Sequence, residues 1–167
     1  MSCSKFIFLD VDGVLNADLT TTQMTKNGYT FVEDQFLERL KRIVDETGAH
    51  IVLSSDWRFD APSGSDYIEL FNALADHGLE IASMTGDYEW RGRGAEIYQW
   101  FYTFHNKYSN ELVQYVILDD LTKFDFYEMQ WPHFVQTNAL HGLQDEDVEK
   151  AIEILSMPGE EVPGEIV

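Results

Sequence analysis

Lys5-Phe6-Ile7-Phe8-Leu9-Asp10-Val11-Asp12-Gly13 decides how the rest of the chain is read. Residues 5–10 form a short apolar run that stops at an acid, the pattern of a buried strand whose next residues leave the core. Residues i and i+2 of an extended strand point the same way, so Asp10 and Asp12 are expected to face one ligand. Gly13 permits the tight turn that must follow. A calcium loop of the EF-hand kind carries its Gly at position six; here it stands at position four, so that reading fails.

Outward from this stretch, strand-like and helix-like periods alternate. Residues 33–47 place Phe36, Leu37, Leu40, Ile43 and Val44 on one helical face, ended by Gly48. Residues 50–54 read as a second buried strand. Residues 66–77 gather Ile68, Phe71, Leu74 and Ala75 into a helical stripe, with Gly78 as its cap. Residues 79–83, 115–118 and 134–136 read as further strands. Residues 94–105 read as a helix burying Ile97, Trp100, Phe101 and Phe104, and residues 146–155 as a closing helix burying Val148, Ala151, Ile152 and Leu155. Uninterrupted apolar strands between helices imply an α/β, Rossmann-like three-layer sandwich with a mainly parallel sheet. The length suits one domain over residues 1–157, with a small flap at about 15–32. Residues 158–167 read as an acidic, solvated tail.

Ligands of such sheets bind beyond the carboxyl ends of the strands. The polar residues there make one chemical set. The first strand ends in Asp10 and Asp12, the second in Ser54, Ser55 and Asp56. Arg91 and Arg93 precede the third helix, and the strand at 115–118 ends in Asp119 and Asp120. Phosphate-ester hydrolysis needs a carboxylate nucleophile, an acid to protonate the leaving oxygen, a divalent cation, and donors for the remaining phosphoryl oxygens. The set fills every role.

Phe8-Leu9-Asp10-Val11-Asp12-Gly13-Val14-Leu15-Asn16 resembles the first motif of the haloacid dehalogenase (HAD) superfamily. Val52-Leu53-Ser54-Ser55-Asp56-Trp57-Arg58 resembles the second, Arg93 stands where the third is expected, and Ile117-Leu118-Asp119-Asp120 resembles the acidic fourth. Ser-Ser-Asp-Trp-Arg, Arg-Gly-Arg-Gly-Ala-Glu-Ile and Gly142-Leu143 also resemble HAD domains of RNA repair and polynucleotide phosphatases. The resemblance implies a HAD-like hydrolase, a phosphoric monoester phosphatase working through an aspartyl-phosphate with Mg2+. Asp10 would be its nucleophile and Asp12 its acid and base. Ser54 would bind the phosphoryl group, and Arg93 would stabilise the phosphoaspartate. Asp10, Asp12 (through its carbonyl), Asp119 and Asp120 would hold the metal. Arg91 competes with Arg93 and Ser55 with Ser54. Arg58 reads equally as a substrate contact or an ion pair, and Asp56 as a cap or an arginine partner.

The connections at 15–32 and 93–119 leave no room for a large cap domain. Tyr29 and Phe31 are placed to shield the site, and Trp57 and Trp90 to stack a base. An open site suits a nucleotide or an oligonucleotide end. A net charge of −19 disfavours extended nucleic-acid binding. The rivals are a HAD-type phosphotransferase and a non-catalytic phosphate- and magnesium-binding regulator, although no essential carboxylate is missing. The lone Cys3 forms no internal disulfide, and the apolar run 6–9 is too short for a signal peptide or a membrane span. Both point to a cytoplasmic setting.

Overall fold

A computed structural model describes residues 3–20, 31–88, 91–107 and 111–162. Strand β1 (Cys3–Leu9) lies at the centre of the sheet. Helix α1 (Asp34–Thr47) leads to β2 (His50–Leu53), and α2 (Ser65–Asp76) to β3 (Ile81–Met84). Helix α3 (Gly92–Lys107) precedes β4 (Leu112–Asp119); β5 (Phe134–Gln136), α4 (Asp145–Leu155) and β6 (Glu160–Glu161) complete the chain.

The strand order is β3-β2-β1-β4-β5, all parallel, with β6 antiparallel beside the start of β4. The chain first builds outward from β1 to β3 and then returns to pair β4 on the other side of β1. The order therefore reverses between β1 and β4, and a crevice opens there at the carboxyl ends.

Alternation along β1 sends Ile7 and Leu9 to one face and Phe6 and Phe8 to the other. The first face is covered by α1, α2 and α4 through Phe36, Leu40, Leu74, Val148 and Leu155. The second is covered by α3 through Ile97 and Phe101. Helix α1 ends where Gly48 takes a φ of 70° and its N–H donates to the Val44 carbonyl, a left-handed cap that favours glycine.

Two expectations are corrected. In α2 the buried residues are Leu70, Ala73 and Leu74, whereas Ile68 and Phe71 are 44% and 47% exposed. Residues 67–75 carry two overlapping apolar stripes, and the one through Leu70, Ala73 and Leu74 packs into the core. Leu70→Ala is therefore expected to cost about 2–5 kcal/mol of unfolding free energy and Ile68→Ala under about 1 kcal/mol. Denaturant titration of the two variants checks this.

Residues 158–162 do not stand away in solvent. Glu160 and Glu161 pair with Val113 and Leu112, Gln114 Nε2 donates to the Pro158 carbonyl at 2.9 Å, and Val162 is buried. A short antiparallel edge pairing leaves no hydrophobic alternation that would mark it in sequence. Among the described residues no helix is long and apolar enough to cross a membrane. Among the described residues no large cap stands over the carboxyl rim.

Candidate active site at the carboxyl ends of β1 and β4

The sheet ladder continues one residue past each strand. Asp10 N–H donates to the Leu118 carbonyl at 3.0 Å, Ser54 to Leu9 at 2.9 Å, Thr85 to Leu53 at 3.0 Å and Thr137 to Asp119 at 2.9 Å. The first residue of each rim loop is thus held in register, and the side chains at the crevice start from fixed backbone.

Asp10, Asp119 and Asp120 each offer a carboxylate oxygen, and these oxygens lie within 4.8 Å of one another. Gly13 makes room for the third. Its φ is 78°, and a Cβ there would run into the Asp120 carboxylate. Thr137 Oγ1 donates to the Gly13 carbonyl at 2.7 Å and fixes the turn from the neighbouring loop.

Asp12 does not join the trio with its side chain. Its exposed carboxylate accepts from Asn16 Nδ2 at 2.9 Å and from the Trp57 indole N–H at 3.2 Å. Strand β1 ends at Leu9, and Val11 already accepts turn bonds from Val14 and Leu15. The two-residue alternation expected of Asp10 and Asp12 therefore lapses where the turn begins. Asn16 also accepts from Gly13 N–H and donates to the Phe31 carbonyl, both at 2.9 Å, and the Phe31 ring packs edge-on against Trp57 at 5.4 Å. In the sequence Asn16 closes the first motif with no role of its own; an amide three residues after a turn glycine is the signal that marks it. Trp57 is tied to Asp12 in this way. Tyr29 and Trp90 lie outside the described residues.

Among the described residues one cation faces the acids. Arg93 Nη1 lies 3.3 Å from Asp119 Oδ2 and 3.6 Å from Asp10 Oδ1, and its Nη2 lies 3.7 Å from Asp56. Arg91 is exposed, makes no ion pair among the described residues and lines a separate cleft.

Of the two readings open for Arg58, a substrate contact or an ion pair, the structure shows the ion pair, and the side chain is buried. Its Nη1 donates to the carbonyls of Ser54 and Ser55, each at 2.9 Å, and its Nη2 pairs with Glu96 at 2.9 Å. It braces the loop after β2 from behind. Glu96, part of the Arg-Gly-Arg-Gly-Ala-Glu-Ile stretch but given no role there, also lies 3.7 Å from Arg93 Nε, one helical turn away, and so sets both arginines. Ser55 Oγ accepts from Trp57 N–H as the cap of the short 3-10 turn at Asp56–Asp60. Ser54 Oγ is buried and has no hydrogen-bond partner among the described residues, as is the Thr85 hydroxyl at the end of β3. A buried hydroxyl without a protein partner is free to bond a ligand or an ordered water.

Burial foremost, and then the charge of Asp119, pushes the Asp10 carboxyl up to about 8 against the pull of Arg93. Burial likewise pushes Asp119 up to about 6, opposed by Arg93 and by the Leu121 N–H it accepts. Asp10, Asp56, Glu96 and Asp119 all share the Arg93 guanidinium, with Asp120 close by, which leaves negative charge uncompensated in a low-dielectric crevice. An all-oxygen donor set of this charge fits a hard divalent cation.

A parallel sheet with such an acid cluster at its switch point, one residue past β1 and at the end of β4, defines the HAD class of phosphatase-type hydrolases and related phosphotransferases. Residues 6–148 match the family described as the HAD domain in Swiss Army Knife RNA repair proteins, and the chain belongs to that family. Comparison with the curated proteins and with the solved structures finds no match.

Proposed function

We propose that this domain is a magnesium-dependent phosphomonoester hydrolase that removes the terminal phosphate of a nucleotide or an oligonucleotide through an aspartyl-phosphate. The observation that carries the reading is the carboxylate trio of Asp10, Asp119 and Asp120, two of whose members face Arg93, with the Ser54 hydroxyl, unpartnered among the described residues, on the adjacent strand end.

In this reading an Asp10 oxygen attacks phosphorus, and the P–O bond to the leaving alcohol breaks. Asp12 gives its proton to that leaving oxygen. It then takes a proton from the incoming water, whose oxygen attacks the phosphoaspartate and releases inorganic phosphate. Asp10 is thereby regenerated. Arg93 and Ser54 donate to the phosphoryl oxygens, and Arg58 and Glu96 hold those donors in place. Asp10, Asp119, Asp120 and the Asp12 carbonyl would hold Mg2+. When bound, the ion supplies the positive charge that lets these acids ionise together beside an anionic substrate. The family's occurrence in RNA repair proteins, and a rim over which the described residues build no large cap, favour a polynucleotide end over a small sugar phosphate. The single cysteine suits a reducing compartment such as the cytoplasm.

Trp57→Phe keeps a ring against Phe31 and deletes the donor to Asp12. It is expected to lower kcat about tenfold with little change in KM, because the acid is then no longer held in one orientation. Steady-state kinetics on the preferred substrate reads this directly. The function itself is tested by a phosphate-release screen over p-nitrophenyl phosphate, sugar phosphates, mononucleotides, and 5′- and 3′-phosphorylated oligonucleotides. Release that needs Mg2+ and favours the nucleotide substrates is the expected result. No release from any substrate with any divalent cation would overturn it.

A further inference from the structure

Helix α3 turns two different flanks to the carboxyl rim. One carries Arg93 and Glu96 toward Asp10. The other carries Tyr98 and Tyr102, spaced to share a face, into a cleft of about 330 Å³ that Arg91, just before the helix begins, also lines. Tyr88, from the loop after β3, and Tyr127, from the loop after β4, close its two sides. Four of the chain's eight tyrosines thus meet in one cleft.

The walls are built rather than incidental. The Gln130 side chain is buried; its Nε2 donates to the Gly94 carbonyl and its Oε1 accepts from Tyr127 N–H, each at 2.9 Å. A Cβ on Gly94 would come within 2.8 Å of the Phe126 backbone, so the loop rests directly on the first turn of α3. Arg91 N–H donates to the Tyr88 carbonyl at 2.8 Å, and the Tyr98 and Tyr127 rings meet edge-on at 6.0 Å. Yet Tyr88 and Tyr127 remain 38% and 40% exposed, which leaves ring surface for a ligand.

The chemistry is selective. Aromatic faces with hydroxyl rims stack bases of any sequence. Arg91 carries no ion-pair partner among the described residues, in a chain whose net charge is −19. An unspent guanidinium beside stacking rings complements an anionic strand that carries bases, through phosphate pairing or stacking on a base. The two flanks of a helix lie about 10 Å apart, so the cleft stands roughly one helix diameter from Asp10.

We infer that this cleft binds the first nucleosides behind the phosphate to be removed, and that Arg91, Tyr88 and Tyr127 set the preference for a single-stranded oligonucleotide end. This rests on the terminal-phosphatase reading above and names the part of the surface that reads the strand.

Two measurements separate the claims. Binding of an unphosphorylated, fluorophore-tagged pentaribonucleotide, followed by anisotropy, needs no catalysis. Arg91→Gln and Tyr127→Leu are each expected to raise its Kd about tenfold. The second measurement is the ratio of kcat/KM for a phosphorylated pentaribonucleotide to that for p-nitrophenyl phosphate, which is expected to fall about tenfold in the same variants. Thermal melts confirm that both fold. No pentamer binding by the wild type, an unchanged Kd, an unchanged ratio, or a ratio that falls only for a phosphotyrosine peptide would overturn the cleft assignment. Absence of phosphate release by the wild type would overturn the phosphatase reading instead, while the anisotropy arm still judges the cleft.

Discussion

Asp10→Asn is expected to reduce phosphate release at least about a thousandfold and, without metal at pH 8 to 9, to make the protein more stable than the wild type. The first effect follows from the attack step, because a neutral amide oxygen does not displace an alkoxide from phosphorus. The second follows from burial. The Asp10 carboxyl is pushed up to about 8 because its ionised form loses water and faces Asp119. Asparagine keeps the shape and removes that charge, and Arg93 remains as the partner of Asp119. The gain is read as a rise of several degrees in the thermal midpoint in EDTA. Turnover at the wild-type rate would reject the nucleophile. A lower midpoint at pH 8 to 9 would show that Arg93 pays more than the full desolvation cost of the Asp10 ion.

The second large effect is a dependence of stability on pH that a divalent cation reverses. Asp10 and Asp119 release their protons near 8 and near 6 in the folded, metal-free protein, against an ordinary value of 3.8 in the unfolded chain. Between these limits the folded state holds protons that the unfolded state has lost. Stability therefore falls as pH rises, beginning near 4, passing through about 6 for Asp119, and ending above about 8 when Asp10 has also ionised. Below pH 4 both states are protonated and neither group contributes a slope. The two acids titrate as a pair, so the combined loss is on the order of 2–4 kcal/mol, or roughly 10 °C in midpoint. Millimolar Mg2+ should restore most of it at pH 8 and little at pH 5, where the ligands are protonated. Scanning fluorimetry from pH 5 to 8.5, with EDTA and with Mg2+, tests this, and Asp119→Asn should flatten the segment near pH 6. A midpoint that is level or rising in EDTA, or a magnesium shift equal at both ends, would contradict it.

Both effects concern residues visible in the sequence, and much of the fold was visible with them. Phe134–Gln136 was located as a strand, Gly48 as the end of α1, and the acids as residues just beyond apolar runs. Local pattern carries that information because a strand buried on both faces tolerates no charge until it leaves the core. Pattern fails where two faces compete. Residues 67–75 offer two overlapping apolar stripes on a broad face, so only the position of β2 and β3 decides that Leu70 goes in and Phe71 stays out. It fails again at β6, whose two glutamates pair by backbone alone.

The candidate site divides in the same way. Local sequence determined that carboxylates, serines and arginines would gather at one rim, because strand polarity in a parallel sheet sends every loop after a strand to the same end. Tertiary structure decided their partners. Ser55 is spent on a cap while Ser54 is left open, Arg93 meets Asp10 while Arg91 turns into the tyrosine cleft, Arg58 braces the loop from behind, and Asp12 hangs on Asn16 and Trp57. Those choices depend on distances of about 3 Å between residues far apart in the chain, and such distances are set by how helices and loops pack across the sheet rather than by any neighbour in sequence.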